Sequence, residues 1–361
     1  MTDAPREDLS PPDGDRPRRR PRYPGTHPRR LEQKYKEHNP RAYPEIVAEV
    51  RARGGTPAGT HVPVLLAEIM DILAPTEGEC VADGTLGYGG HATEFLRRIG
   101  PTGRLFGFDL DAVQLERTRQ RLAESFSNFT VHRSNFAGLA KPLAAAGLDG
   151  YDIILADLGV SSMQVDDPAR GFSYKYDGPL DMRMDDRRPR TAAELLATMP
   201  AGELARALWE LADEKDNERI AHAIVQQRTR RPIRRTFDLV EILFEAKGMT
   251  RRTWRERAKA DQHALHPAAK TFQALRILVN DELGSLKNLL RIAPSCLRSG
   301  GRIGIISFHS GEDRLVERAF REGLERSVYA AVSEDAVRPS RTERFDNPRS
   351  SSAKFRWARR V

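Results

Sequence analysis

Between His61 and Gly159, short apolar runs alternate with amphipathic ones, and that alternation leaves few folds open. "HVPVLLAEIMDIL" has helical spacing, and "GECVADGT" reads as a strand that ends in a glycine-rich turn. "HATEFLRRI" is amphipathic at helical period, "RLFGFDLD" is a second strand, and residues 112–125 form a second helix of this series. "FTVHRSNF", a helix over 139–146 and the strand "YDIILADLG" complete the set. Strands separated by helices of this length predict a parallel sheet with helices on both faces.

From about Asp166 to Lys270 no strand is predicted. "TAAELLATM", "GELARALWELAD", "NERIAHAIVQQR" and "TFDLVEILFEAKG" repeat apolar residues at helical spacing, with Thr191 and Thr236 as expected N-caps. The α/β pattern resumes with a long helix over 271–297, the strand "GRIGIISFHS" and the helix "EDRLVERAFREG". The expected organisation is therefore an α/β unit over 60–165 and 271–361, with a helical unit inserted over 166–270. Residues 1–59 are rich in Pro and Arg and read as a largely disordered basic arm, apart from a short helix at Tyr43–Val50. The arm is either a tracker of a nucleic-acid backbone or a solvated extension.

The 361 residues carry 59 Lys and Arg against 51 Asp and Glu, a formal charge of +8 that suits a polyanionic partner. Much of the excess sits in "DRPRRRPRYPGTHPRR" and "NPRSSSAKFRWARRV", so charge nominates nucleic acid without deciding it. No apolar run approaches the roughly 18–20 residues of a membrane span, and the N-terminus is charged. Cys80 and Cys296 lie in apolar runs and read as reduced core thiols of a cytoplasmic protein, with no ligand spacing for a metal.

The turn after the first strand places Gly84, Gly87, Gly89 and Gly90 within seven positions, and Asp109 ends the next strand twenty positions beyond Gly89. A carboxylate there can accept hydrogen bonds from both ribose hydroxyls of a nucleoside cofactor. The alternative is a helix cap at Asp109 or Asp111. The spacing does not match the G-x-G-x-x-G of dinucleotide sites, which disfavours NAD relative to S-adenosylmethionine. The fourth strand ends in Asp157, followed by Gly and Ser, at the sheet edge where ligands of such folds bind.

"HVPVLL", "DGTLGYGGH", "DLGVSSMQVDDPARGFSYKYDGPLDMRMD", "HPAAKTFQALRILVN", "GGRIGIISFHSGEDR" and "NPRSSSAK" together resemble the signature blocks of the ribosomal RNA small subunit methyltransferase H family, also called MraW. The resemblance runs from about His61 to the C-terminus. It departs at Leu86, Tyr88 and Gly311, where Phe, Arg and Leu are the family's usual residues, and it is loose in the helical insert. It implies a class I (Rossmann-like) methyltransferase sheet with an inserted helical substrate-recognition domain. The implied activity is S-adenosyl-L-methionine-dependent methylation of the exocyclic N4 of one cytidine in the decoding region of 16S rRNA. The partner would be small-subunit rRNA within an assembled or nearly assembled 30S subunit, with no membrane and no metal.

By the family's pattern the cofactor would touch Gly89, Gly90 and His91, with Asp109 on the ribose, Phe136 near the adenine, and Asp157 and Gln164 closing the site. A core aromatic at the end of the third strand is an equal reading of Phe136. The N4 amine is a poor nucleophile because its lone pair is delocalised, and an acceptor for its N–H groups would help it. Asp157 is placed to be that acceptor, with a purely cofactor-binding role as the alternative. His309 is read as a contact to the flipped base or as a structural histidine, and Arg349 as an RNA-backbone contact or part of a closing strand. In "DGPLDMRMD", Asp181, Arg183 and Asp185 form either an ion-paired clamp or a folded loop. Two other classes remain in view: a DNA amino-methyltransferase, which would carry a Pro-Pro-aromatic motif that "DLGVSS" lacks, and a non-catalytic RNA-binding protein.

Overall fold

The computed structural model describes residues 63–261 and 264–361; the arm over 1–59 and the helix expected at Tyr43–Val50 lie outside the described residues. After α1 (Leu66–Leu73) the chain alternates as β1 (Cys80–Asp83), α2 (Gly90–Ile99), β2 (Arg104–Asp109), α3 (Ala112–Ala123), β3 (Phe129–Arg133), α4 (Ala140–Ala145) and β4 (Tyr151–Asp157). β1 pairs in parallel with β2 on one side and β4 on the other, while β3 extends the sheet beyond β2. These are the strands and helices that the alternation predicts.

The two-residue period of each strand divides its side chains between two cores. Cys80, Ala82, Phe106, Phe108, Ile154 and Ala156 point to one face, and Val81, Leu105, Ile153 and Leu155 to the other. Both thiols are free and buried. Because both faces are covered, β1 and the middle of β4 read as near-continuous apolar runs rather than polar–apolar alternation.

Past β4 the chain is helical: α5 (Ser162–Asp166), α6 (Ala192–Thr198), α7 (Ala201–Ala212), α8 (Asn217–Arg230), α9 (Thr236–Ala246), α10 (Arg251–Ala260), α11 (Ala269–Asn280) and α12 (Glu282–Cys296). Thr191 caps α6 as expected, accepting from the Glu194 amide while Glu194 accepts from the Thr191 amide. Thr236 does not cap α9. It is the first helical residue, and its hydroxyl is buried between Tyr176 O at 2.7 Å and the Gly178 amide at 3.1 Å, while Asp238 accepts from the Arg235 amide.

The long helix expected over 271–297 is two helices, broken where Asp281 takes φ 49°. The break also divides the packing. Phe272, Leu275 and Val279 of α11 join a helical core with Leu204, Leu208, Ile224, Leu239 and Leu243, whereas Leu286 and Leu289 of α12 pack on the sheet.

The sheet closes with β5 (Leu297–Ser307) parallel to β4, then α13 (Ser310–Glu325), β6 (Tyr329–Val332), α14 (Arg341–Asp346) and β7 (Lys354–Arg360). Its order is β3-β2-β1-β4-β5-β7-β6, with β7 antiparallel to β5. This is a doubly wound, Rossmann-like sheet with a helical unit between β4 and β5. β6 lies outside the expected elements, and β7 is the closing strand that "NPRSSSAKFRW" offered as one of its two readings. Asp313 of α13 holds that last strand, accepting from Lys354 Nζ at 2.6 Å and Arg356 Nε at 2.7 Å. No helix among the described residues is long and apolar enough to cross a membrane.

One buried side chain ties the helical unit to the loop before α6. Asn280 accepts from the Met184 amide at 2.8 Å and donates to Met182 O at 2.7 Å. Met182 has φ 63°, a conformation costly for a side-chain-bearing residue, so it needs such external bonds to persist. Asn280→Ala leaves a buried donor and a buried acceptor unmet, at about 1–3 kcal/mol each. Urea denaturation is expected to show a loss on the order of 2–4 kcal/mol with an unchanged m-value.

Candidate active site

Strand order reverses between β1 and β4, so the chain leaving β1 and the chain leaving β4 part at their carboxyl ends. A cleft of about 450 Å³ opens there, walled by residues that follow all five parallel strands: Gly84–Tyr88, Asp109, Ser134–Phe136, Asp157–Ser161 and Phe308. Its size is that of a small-molecule site.

The glycine loop begins as a continuation of the β1–β4 ladder, with the Gly84 amide donating to Leu155 O at 2.8 Å. A Cβ at Gly84 would lie 2.8 Å from Phe136 Cβ, so only glycine lets Phe136 close over the loop. The Gly87 amide then donates to Asp109 Oδ2 at 2.8 Å. Gly89 precedes α2 at φ 65° and is not on the cleft wall: a Cβ there would lie 2.9 Å from Thr118 of α3. Gly90 and His91 do line the cleft. His91 is a neutral clamp, its Nε2–H donating to Val64 O at 3.0 Å, and burial lowers its pKa to about 4.

Asp109 sits at the cleft with each carboxylate oxygen accepting one backbone amide, from Gly87 and from Asp111. Burial raises its pKa to about 6, against the pull of those two amides. The helix cap is Asp111, which accepts from the Val113 and Gln114 amides of α3. Asp111 also accepts from Arg170 Nη1 at 2.5 Å, tying the helical unit to the sheet. Phe136 stands in a single turn after β3 with its ring on the cleft wall. Gln164 lines the cleft, and its Oε1 accepts from the Ser161 amide at 3.0 Å, so its carbonyl end shapes the loop after β4.

Asp157 is the most constrained of the expected residues. Its amide donates to Thr85 Oγ1 at 2.6 Å, binding the two parted strand ends together. Its Oδ1 is buried and has no hydrogen-bond partner among the described residues. Burial, with repulsion from Asp83 and Glu312, raises its pKa to about 8. Asp83, buried at the end of β1, is raised to about 7 by the same causes, burial foremost and Asp109 adding repulsion. Asp157 and Glu312 line the cleft and Asp83 is buried at the end of the neighbouring strand, a gathering of carboxyls that favours a cationic ligand.

Several wall residues were not among those expected. Arg276 and Glu282, from the facing ends of α11 and α12, form a half-buried bidentate pair at 2.8 Å and 2.8 Å. Glu312 accepts from the Phe308 amide at 2.9 Å and lies 3.2 Å from His309 Nε2. Burial alone would raise Glu312, but His309 and Arg276 hold it below the usual carboxylate range. The spacing of Arg276 and Asn280, four apart in one helix, was the available signal.

His309 is not on this cleft. It caps α13 and opens on a separate cavity of about 180 Å³ beside α7 and α11. Arg349 is on the cleft wall, where its Nη2 donates to Asp166 Oδ2 at 3.0 Å and joins the C-terminal segment to α5. Asp181, Arg183 and Asp185 form a folded loop: Arg183 is bidentate to Asp181 at 2.8 Å and 2.9 Å, and Asp185 pairs with Arg187 and Arg133.

Residues 58–361 match the model of the MraW methylase family. A protein of Lachnoclostridium phytofermentans named ribosomal RNA small subunit methyltransferase H 1 is 41% identical over 345 residues, covering 94% of this chain and 92% of that protein. A ribosomal RNA small subunit methyltransferase H of Geobacter sulfurreducens is 43% identical over 317 residues, covering 84% of this chain and 99% of its own.

Because the folded pKa of Asp157 lies above its unfolded value, the folded form holds a proton that the unfolded form releases as pH rises from about 4 to about 8. Stability falls across that window. Asp157→Asn removes this one linkage. The ligand-free variant is expected to melt higher than wild type at pH 8, with the difference shrinking toward pH 4. Parallel melting curves at all pH values would show that Asp157 titrates normally.

Proposed function

The chain belongs to the MraW methylase family, and from that membership and the cleft we propose that it is an S-adenosyl-L-methionine-dependent methyltransferase of small-subunit rRNA that modifies the N4 of a cytidine in the decoding region. The observation that carries the chemistry is the buried, unpartnered Oδ1 of Asp157 at the point where strand order reverses. We further propose a cytoplasmic site of action, an assembled or nearly assembled 30S subunit as substrate, and substrate recognition by the helical unit.

S-adenosyl-L-methionine supplies an electrophilic methyl group on a positively charged sulfur. The residues that would hold it are Asp109 at the ribose hydroxyls, Phe136 at the adenine, and the wall formed by Gly87, Gly90, His91 and Gln164. A carboxylate has about four acceptor positions, so Asp109 retains capacity beyond its two backbone bonds. Asp83 and Glu312 disfavour the ionisation of Asp157, and a cation beside Asp157 relieves that repulsion.

Toward the base, Asp157 accepts a hydrogen bond from the N4 amine. This withdraws the nitrogen lone pair from the ring and directs it outward. The new nitrogen–carbon bond would replace the methyl–sulfur bond of the cofactor, whose sulfur would keep the electron pair as a neutral thioether, and the positive charge gained by the nitrogen would strengthen its hydrogen bond to Asp157. The raised pKa of the carboxyl makes it a good acceptor for the amine proton lost on methylation. Orientation of the two reactants in one cleft supplies much of the remaining acceleration.

The reading is tested by mass spectrometry of small-subunit rRNA nucleosides from cells with and without the gene. N4-methylated cytidine is expected to be lost at one position and restored by the wild-type gene; an unchanged nucleoside profile would overturn the proposal.

Asp157→Asn keeps the side chain's size and removes its charge. At saturating cofactor, the single-turnover methylation rate is expected to fall about 10²-fold or more, while rRNA affinity changes little because phosphate contacts dominate it. A wild-type rate would assign the acceptor role to the backbone after β4.

A further inference from the structure

The helical unit carries a strongly basic surface that the cleft does not use. The sequence of α10, RRTWRERAKA, contains no buried residue. It is held by one side: Trp254 packs edge-on to His266 with ring centroids 5.4 Å apart, and Arg251 lies 5.2 Å over the Phe237 ring and pairs with Glu241. Arg252, Arg255 and Lys259, at positions i, i+3 and i+7, share one face next to Arg251 and are exposed. The one acid in the helix, Glu256, reaches Arg252 only at 3.9 Å. Among the described residues, Arg255 and Lys259 have no ion-pair partner.

The stacking of Arg251 on Phe237 brings the start of α10 beside the first turn of α9, where the exposed turn RRPIRR (230–235) adds Arg230 and Arg234. This turn is fastened to the loop that walls the cleft. Leu180 donates its amide to Arg234 O at 2.8 Å, and Met184 of the same loop lines the site.

A short helix that buries no residue gains little from packing, and like charges at i,i+3 and i,i+4 destabilise it further. Among the described residues the only ion pair made by Arg252, Arg255 and Lys259 is Arg252–Glu256 at 3.9 Å, and a polyanion laid on the face would relieve the repulsion that remains. We propose that Arg252, Arg255 and Lys259 of α10, together with Arg230 and Arg234, dock the phosphate backbone of the rRNA substrate and so set which nucleotide reaches the cleft. This inference rests on the small-subunit rRNA reading above.

The test is Arg252→Gln, Arg255→Gln and Lys259→Gln combined in the full chain. All three residues are exposed, and Gln is a good helix former. Binding to unmodified small-subunit rRNA, measured against salt, is expected to weaken about tenfold or more. The log–log slope should become shallower by about 2–3, since each lost phosphate contact removes about 0.7–0.9.

KM for rRNA should rise while kcat and the calorimetric affinity for S-adenosylmethionine stay at wild-type values. The charge-conserving set Arg252→Lys, Arg255→Lys and Lys259→Arg should retain the wild-type slope. An unchanged slope and KM in the Gln variant, with the wild-type protein methylating the same rRNA, would overturn the docking surface alone. Failure of the wild-type protein to bind or methylate small-subunit rRNA would overturn the functional reading, and the docking surface with it.

Discussion

The site depends on the way β1 is paired on both sides. It lies between β2 and β4 in register with each, so the last residues of β1 and β4 are held side by side while their onward chains diverge. Two hydrogen bonds continue past the last paired residues, from the Gly84 amide to Leu155 O and from the Asp157 amide to Thr85 Oγ1. They set the separation of the glycine loop from the Asp157 loop and therefore the width of the cleft. The apolar alternation that buries both faces makes this register hard to shift, because a slip of one residue would exchange the two cores.

That rigidity is what allows carboxyls to be stored in an apolar place. Asp83 and Asp157 end two neighbouring strands and are raised to about 7 and about 8, by burial foremost, with repulsion from Asp109 on the first and from Asp83 and Glu312 on the second. Isolated buried charge would be costly, and the raised pKa values lessen that cost by favouring the neutral, protonated form. The same cleft keeps Arg276 paired with Glu282, so its guanidinium is already satisfied within the wall.

Polar side chains join the helical unit to this frame. Asp111 receives Arg170, and Arg133 at the end of β3 reaches Asp185. Such bonds fix orientation, because a hydrogen bond has a preferred direction and an apolar contact does not. The unit thereby completes the cleft wall while its far face stays exposed and basic.

The strands and helices up to β4, and the helical character of the insert, were legible because periods of 2 and 3.6 residues are written locally. The break at Asp281 was not, since α11 and α12 form one continuous apolar pattern and only their separate packing partners divide them. β7 was legible only as one of two readings, because the charges that Asp313 satisfies from α13 equally suit a contact to RNA.

Within the site, Asp109 and Asp157 could be named from their places at strand ends, which sequence alone determines. The sequence likewise marked Gly84–Gly90 as a loop that needs glycine. Which glycine faces the cleft was decided by the packing of Gly89 against α3, and His309 was drawn to a different cavity by its capping of α13. The apposition of Asp83, Asp157 and Glu312 and the pairing of Arg276 with Glu282 exist only once the sheet and helices are assembled. The reason is range: periodicity and capping act over a few residues, whereas burial and Coulomb interaction act between groups that the chain brings together from far apart.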